Sequence, residues 1–198
     1  MQPRVSAVLL AAGLSRRMGR PKQLLLLNGK PAIRCCTEAL LAAGVSDIVA
    51  VLGTGSEGAA RALAGFPVSF AYNTDPESDM AGSVRAGLRW VSDSSTGVLV
   101  CLADHPLVLP ETMIAVIDAH RIDPRMIVVP RFEGRRGHPT LFPKPALREL
   151  SSGATLRDVI AHHCDLVRLV EVADEGVVLD MDTPDDYERL RSKFEQVF

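Results

Sequence analysis

A group of basic residues directly follows the first apolar segment and is the clearest chemical signal in the chain. Residues 5–12 are apolar up to Gly13, and the next nine residues contain four cations: Arg16, Arg17, Arg20 and Lys22. Small residues let backbone N–H groups approach phosphate oxygens, while cations neutralise the phosphate charge. The spacing is not a Walker A loop, because no Gly-Lys-Ser/Thr follows. We therefore predict a polyphosphate-binding loop, the alternative being a strand-to-helix turn with solvated arginines.

Two aspartates could complete such a site with a divalent cation. Asp104 directly follows the apolar residues 98–103, and Asp182 lies in the late sequence DMDTP. Ligands of open α/β sheets collect beyond the carboxyl ends of the strands, and Mg²⁺ favours a few oxygen ligands together with substrate phosphates. We therefore predict that Asp104 and Asp182 bind Mg²⁺. The alternative for each is a helix cap, ahead of Pro110 and Pro184 respectively.

Other polar residues are weaker candidates for substrate contact. Asn73 follows the third predicted strand and offers a paired donor and acceptor to a nucleobase or ribose, although an Asx-turn explains it equally well. His138 lies in a second loop of glycine and arginine, where it could touch a substrate phosphate; a turn with solvated arginines is the alternative. Residues 53–58 match the dinucleotide fingerprint G-x-G-x-x-G, but a tight turn explains them without a ligand.

The chain shows no recognisable Ser-His-Asp, Cys-His or His-Glu-x-x-His arrangement that would supply a nucleophile or a general base. An attacking phosphate needs no such base, because its second ionisation, near pKa ~6, leaves it largely anionic at neutral pH. Positioning, cations and Mg²⁺ then carry the reaction. The residues therefore favour nucleotidyl transfer onto a phosphomonoester, with pyrophosphate as the leaving group.

The composition is typical of one globular domain, which we expect to span residues 1–198. Hydrophobic residues make up 47% and charged residues 23%, and the net charge of −2 gives no overall attraction to nucleic acid or to an anionic membrane. The four cysteines lack a C-x-x-C spacing, so buried free thiols are expected. No segment has the features of a signal peptide or the length of a membrane span, and we expect a cytoplasmic protein.

Short apolar strands alternate with helical segments along the chain. Strands are predicted at residues 5–12, 48–52, 68–72, 97–102 and 126–129, and helices at residues 31–43, 57–63, 80–91 and 110–119. Further on, residues 138–142, 167–172 and 177–179 are predicted to be extended, and residues 145–150, 156–162 and 184–194 helical. This alternation predicts an α/β fold with a mainly parallel sheet covered by helices.

Taken together, the motifs resemble those of the MobA-like nucleotidyltransferases. Residues 10–22, LAAGLSRRMGRPK, are similar to the family signature L-A-x-G-x-S-x-R-M-G-x-x-K. Further motifs match in order over nearly the whole chain: Asn73 with Met80 and SVRAG at 83–87, LADHP at 102–106, RGHP at 136–139 and DMDTP at 180–184. The resemblance is closest to the molybdenum cofactor cytidylyltransferase (MocA-type) branch, and it implies a Rossmann-like three-layer αβα fold of the nucleotide-diphospho-sugar transferase type.

The resemblance also implies an activity and a set of site residues. The activity is transfer of CMP from CTP to the terminal phosphate of molybdopterin with Mg²⁺ as cofactor, and a molybdoenzyme of the xanthine oxidase type is a candidate partner. Arg17, Lys22 and Asp104 are the implied catalytic residues, Asp104 and Asp182 the metal ligands, and His138 an acceptor-binding residue. The implied nucleotide-binding residues are Leu10, Ala11, Ala12, Gly13, Arg17, Lys22, Asn73 and Ser83.

Two residues depart from the family pattern. Asp79 stands where the family usually has glycine, and its carboxylate is expected to change the substrate pocket or repel a phosphate. His105 replaces a glutamine, and its charge would respond to pH near neutrality. These departures keep two alternatives open: a transferase of the same fold that uses a sugar or alditol phosphate, and a non-catalytic protein that binds nucleotide or cofactor for a molybdoenzyme.

Overall fold

A mostly parallel β-sheet forms the middle layer of the protein, whose computed structural model describes residues 4–13, 15, 17–75 and 77–197. The sheet contains β1 (Val5–Ala11), β4 (Ile48–Leu52), β5 (Ser69–Tyr72), β6 (Gly97–Leu102), β7 (Ile127–Phe132), β8 (Arg135–Arg136), β9 (Thr140–Pro143) and β10 (Val167–Glu171). The strands β2 (Leu26–Leu27) and β3 (Lys30–Pro31) form a separate antiparallel pair.

The strand order is β10–β7–β9–β6–β1–β4–β5, with β8 paired to β7. Strand β1 runs parallel to both neighbours, and Ala7 is in register with Ile48 on one side and Leu99 on the other. Strand β9 runs antiparallel to β6 and β7. The carboxyl ends of β1, β4, β5 and β6 therefore meet at one edge of the sheet, where loops can form a ligand site.

Helices cover both faces of the sheet. Their bounds are α1 (Ala32–Ala42), α2 (Glu57–Ala62), α3 (Met80–Leu88), α4 (Pro110–Ile122), α5 (Leu156–His162) and α6 (Pro184–Val197). Leu9 faces a core that includes residues of α1 and α4, whereas Val8 faces a second core that includes residues of α3 and α5. The three-layer αβα arrangement predicted from the resemblance is thus present. Within the described ranges, no helix has the length and apolar character needed to span a membrane.

A third and smaller core joins the basic loop to the end of the chain. Met18 from that loop packs in it with Leu27, Met181 and Leu190, which belong to β2, the DMDTP segment and α6. Burial of these apolar side chains holds two segments that are distant in sequence against each other. The basic loop and Asp182 are positioned by this contact.

Some details of the sequence-based prediction are wrong. The strand expected at residues 177–179 is instead a 3₁₀ turn, Glu175–Val178, because the Asp174 side chain accepts a hydrogen bond from the Gly176 N–H and starts the turn. The predicted helix at residues 145–150 is also a 3₁₀ helix, Ala146–Ser152. Of the four cysteines, three are buried as expected and Cys164 is exposed.

Candidate active site

A cleft of 610 Å³ lies at the carboxyl ends of β1, β4, β5 and β6. Its wall combines the start of the basic loop, the segment before α3, the end of β6 and the DMDTP segment. Ten of the residues predicted for the site line this cleft: Leu10, Ala11, Ala12, Gly13, Arg17, Lys22, Asn73, Ser83, Asp104 and Asp182. The topology therefore brings together residues that are up to 172 positions apart, from Leu10 to Asp182.

The basic loop is organised by Ser15. Its backbone has a positive φ of 48°, its carbonyl accepts hydrogen bonds from the Met18 and Gly19 N–H groups, and its hydroxyl accepts one from the Lys22 N–H at 3.0 Å. These bonds fold the loop back so that Lys22 reaches the cleft. Arg20 points elsewhere, since its guanidinium stacks 5.6 Å from the ring centre of Tyr187 in α6. Arg16, which is also part of the predicted loop, lies outside the described residues.

Two cations and two carboxylates form a connected cluster in the cleft. Lys22 Nζ donates hydrogen bonds to Asp104 Oδ2 and, at 2.7 Å, to Asp182 Oδ1. Arg17 Nη2 donates to Asp182 Oδ2. The remaining oxygen, Asp104 Oδ1, is buried and has no hydrogen-bond partner among the described residues. Three of the four carboxylate oxygens are therefore held by cations, and the fourth lies 3.9 Å from His105 Nε2.

Lys22 and Asp182 favour each other's ionised forms. Burial alone would lower the pKa of Lys22, but its attraction to Asp104 and its hydrogen bonds to both carboxylates raise that pKa above the ordinary value. The pKa of Asp182 is lowered, chiefly by the hydrogen bond from Lys22 and against a smaller opposing effect of burial. The ammonium and the Asp182 carboxylate thus stabilise each other's charged forms.

Neither aspartate is used as a helix cap. Asp174 supports the start of α4 instead, by accepting hydrogen bonds from the Leu109 N–H at 2.9 Å and the Thr112 hydroxyl at 2.7 Å. At the start of α6, Asp186 accepts from the Thr183 N–H and hydroxyl, while the Thr183 hydroxyl accepts from the Asp186 N–H. The capping alternative is therefore wrong for Asp104 and Asp182, whose carboxylates face the cleft.

The carboxylates fit a divalent cation that is shared with a substrate. Among residues in the described ranges, no group of three or more His, Cys, Asp or Glu side chains could hold a metal by itself. Two carboxylates with one unpartnered buried oxygen suit Mg²⁺, which commonly takes one or two protein carboxylates and completes its coordination with water and substrate phosphates.

Asn73 lines the cleft and forms the Asx-turn considered for it, while contact with a nucleoside stays a prediction. Its Oδ1 accepts a hydrogen bond from the Asp75 N–H at 3.4 Å, as in an Asx-turn, and its Nδ2 donates to the Ser83 hydroxyl at 2.9 Å. Elsewhere in the cleft lining, a Cβ atom at Gly53 would lie 2.8 Å from the Ala12 carbonyl oxygen. Gly53 is thus required for close packing of the two loops, which supports the tight-turn interpretation of the G-x-G-x-x-G segment.

Asp79 is the N-cap of α3, a role that the sequence analysis missed. Its carboxylate accepts a hydrogen bond from the Gly82 N–H at 2.8 Å and also lines the cleft. An aspartate directly before Met80, the first helical residue, is an ordinary N-cap signal and could have revealed it. The carboxylate also stabilises the positive end of the helix dipole, so that this helix start is occupied by a protein anion.

His138, the predicted acceptor-binding residue, does not lie with the other predicted site residues. It is absent from the wall of the cleft and packs behind it, with its ring centre 5.1 Å from that of His105. Its backbone N–H donates to the Val177 carbonyl at 2.8 Å, and a Cβ at Gly137 would lie 2.4 Å from the same oxygen. The 3₁₀ turn Glu175–Val178 therefore holds the loop that contains His138. This geometry gives no support to direct acceptor binding by His138.

The position of His138 leads us to predict that the free energy of unfolding falls at acidic pH. Burial, and next the neighbouring His105, lower the pKa of His138 to about 4 from the ordinary 6.5. The unfolded chain then takes up this proton below pH ~6.5, whereas the folded protein takes it up only near pH ~4. We expect the contribution of neutral His138 to the free energy of unfolding to be fully present above pH ~6.5. It should be lost, by up to about 3 kcal/mol, as the pH falls from ~6.5 to ~4.

The measurement is the free energy of unfolding of the wild type and His138→Gln, from urea titrations at pH 7 and pH 4.5. Other titrating groups cancel in the difference between the two proteins. The wild type should lose more stability than the variant on acidification. An equal loss in both proteins would contradict the assignment.

A larger groove of 920 Å³ lies at the opposite end of the sheet, near the start of β6 and β7. Two of its cations have protein partners, since Lys144 Nζ donates to the Ser92 carbonyl at 2.8 Å and Arg125 pairs with Asp123, while Arg148 is exposed. Size therefore does not decide between the two cavities. The smaller cleft holds two carboxylates bonded to two cations, and it is the better candidate for chemistry.

Comparison with known proteins identifies the family of this chain. The family model described as the MobA-like NTP transferase domain matches residues 7–168. The chain belongs to this family. The family resemblance stated from the motifs is thereby confirmed, and the protein is a member of a nucleotidyltransferase family with the corresponding fold.

Individual relatives span almost the whole chain of this family member. The curated protein "Nicotine blue oxidoreductase" of Paenarthrobacter nicotinovorans is 31% identical over 95% of this chain and 97% of its own. The crystal structure of Rv0371c from Mycobacterium tuberculosis H37Rv is 29% identical, with a TM-score of 0.84 over 97% of this chain and 99% of that one. The same protein in complex with manganese is 28% identical, with a TM-score of 0.80 over 97% and 100%.

Proposed function

We propose that this MobA-like transferase transfers CMP from CTP to the terminal phosphate of molybdopterin, with Mg²⁺, and releases pyrophosphate. The observation that carries the proposal is the cluster of Lys22, Arg17, Asp104 and Asp182 in one cleft. Cations and metal-binding carboxylates at the end of a parallel sheet match the needs of phosphoryl chemistry. A relative's complex with manganese is consistent with a divalent cation here.

In this proposal an oxygen of the acceptor phosphate attacks the α-phosphorus of CTP. A new P–O bond forms, the bond from the α-phosphorus to the bridging oxygen breaks, and pyrophosphate leaves with the electron pair. Lys22 and Arg17 bind phosphate oxygens, and Asp104 and Asp182 would hold Mg²⁺, which supplies positive charge against the triphosphate. The acceptor is already anionic, so no side chain has to remove a proton.

The nucleotide assignment rests on the Ala12 wall of the cleft. Ala12 lines the cleft, and we expect its methyl group to restrict the space for the nucleobase. The loop form LAAG resembles the cytidylyl branch of the family. We therefore expect CTP to bind in preference to the larger purine nucleotides.

Asp79 favours one second candidate, transfer to a different phosphorylated acceptor such as a sugar or alditol phosphate. Its carboxylate caps α3 and lines the cleft, so a negative charge stands on the wall where an acceptor would approach. A release assay with CTP and Mg²⁺ separates these acceptors, since pyrophosphate above background should appear only with the true one. A nucleotide-binding protein without transferase activity would release none with any acceptor.

The nucleotide itself is tested by thermal shift. Ligands that bind only the folded state raise its apparent stability, and the rise grows with the ratio of concentration to Kd. With Mg²⁺ present, CTP should raise the Tm more than UTP, ATP or GTP. NADH and NADPH are included because one relative is named an oxidoreductase. A larger shift with either reduced dinucleotide than with CTP would contradict the proposed function.

A further inference from the structure

The position of Lys22 suggests how metal and nucleotide binding are linked. We propose that Lys22 is an internal counter-ion that competes with the divalent cation for Asp104 and Asp182, and that polyphosphate binding opens the metal site by drawing Lys22 away. This inference rests on the proposed function for the identity of the polyphosphate. The competition itself depends only on residues of this chain.

Lys22 occupies the position that a metal ion bound to both Asp104 and Asp182 would need. Its ammonium bonds to one oxygen of each carboxylate, at 2.7 Å from Asp182 Oδ1, and so lies between the two groups. The cluster is shielded from solvent, since the side chains of Lys22, Asp104 and Asp182 are 18%, 15% and 28% exposed. Arg17 is different, because its side chain is 69% exposed and contacts only Asp182 within the cluster.

Electrostatic repulsion prevents the Lys22 ammonium and a divalent cation from binding the same carboxylates at the same time. An ammonium and a divalent ion within a few ångströms of the same carboxylates repel strongly when water is scarce. A cation that bridges Asp104 and Asp182 must therefore displace Lys22, whose charge would lose its partners in a partly buried place. Phosphates in the cleft remove this penalty, because they offer Lys22 new anionic partners while it leaves the carboxylates.

The consequence is positive coupling between the two ligands. If a polyphosphate raises the affinity for the cation, the cation raises the affinity for the polyphosphate by the same factor. A free divalent cation, by contrast, should bind poorly because it has to compete with Lys22. Removal of the Lys22 charge should then tighten binding of the metal alone.

The experiment titrates the full-length protein with Mn²⁺ alone, without nucleotide or acceptor, and follows free Mn²⁺ by electron paramagnetic resonance. Lys22→Met should lower the Kd for Mn²⁺ by about 5- to 150-fold, the usual range of coupling between sites. Arg20→Met is the matched control, because it removes a cation of the same loop that stacks on Tyr187 instead of contacting the carboxylates. This control should bind Mn²⁺ as the wild type does.

A double variant locates the ion. Adding Asp104→Asn to Lys22→Met should abolish the gain, and Mn²⁺ should raise the Tm of Lys22→Met more than that of the wild type. An unchanged Kd in Lys22→Met, or a gain that persists in the double variant, would overturn the proposal. Lys22→Gln replaces Lys22→Met if that variant does not fold. Since no nucleotide is used, these results do not depend on whether CMP transfer occurs.

Discussion

Replacing Asp104 with asparagine is expected to lower kcat by at least about 100-fold, the scale of removing one preorganised electrostatic partner. The carboxylate is mostly buried in the cleft, where it shares the Lys22 ammonium with Asp182 and is one of the two proposed metal ligands. The fold should survive, because Lys22 keeps its hydrogen bond to Asp182 at 2.7 Å. The measurement is steady-state pyrophosphate release at saturating CTP and Mg²⁺.

Asp180→Asn is the control for Asp104→Asn. Asp180 is exposed, belongs to the DMDTP motif and lines a separate small depression with Arg135. The control removes one negative charge near the site without touching the cleft, and its kcat should remain close to that of the wild type. If both variants lose activity equally, general charge and not metal binding by Asp104 accounts for the loss.

Lys22→Ala has the second large expected effect, a KM for CTP raised roughly 10- to 100-fold, as loss of a charge-assisted hydrogen bond predicts. The ammonium is mostly buried and cannot be replaced efficiently by water or salt. The measurement is the dependence of initial rate on CTP concentration at fixed, saturating Mg²⁺. Lys22→Arg, which retains the charge, should recover part of the lost affinity.

Arg20→Ala provides the matched comparison for this KM effect. Its guanidinium stacks on Tyr187 at 5.6 Å, so the variant loses one cation of the basic loop but no group of the cleft. We expect the KM of Arg20→Ala for CTP to be at least about tenfold lower than the KM of Lys22→Ala. Equal KM changes in the two variants would show that the loop acts only through its total charge.

The sequence predicted the strands with continuous apolar character most accurately. Residues 48–52 and 97–102 form β4 and β6 with the expected bounds, since both strands are covered on both faces. The strand predicted at residues 177–179 was wrong, because the turn there depends on Asp174. The Asp174 carboxylate also accepts hydrogen bonds from the distant Leu109 and Thr112. A local pattern carries no information on such long-range hydrogen bonds.

The sequence likewise predicted which residues meet in the site but not the contacts between their side chains. The rule that ligands collect at strand ends brought Asp104, Asn73 and the basic loop to one cleft, as the topology requires. It did not reveal that Lys22 bonds to both carboxylates, because side-chain reach depends on how the loop folds around Ser15. The acceptor contact predicted for His138 came from its loop and from the family resemblance, and the structure holds that loop outside the cleft through Gly137 and the Val177 carbonyl.

Transfer of a labelled nucleotidyl group tests the central claim most directly. The protein is incubated with Mg²⁺, molybdopterin and CTP labelled at the α-phosphate, and the label in the acceptor is compared with the pyrophosphate released. We predict one labelled CMP in the acceptor for each pyrophosphate, with no transfer by Asp104→Asn above about 1% of the wild-type rate. Absence of label from the acceptor, with CTP bound and the protein folded, would contradict the account.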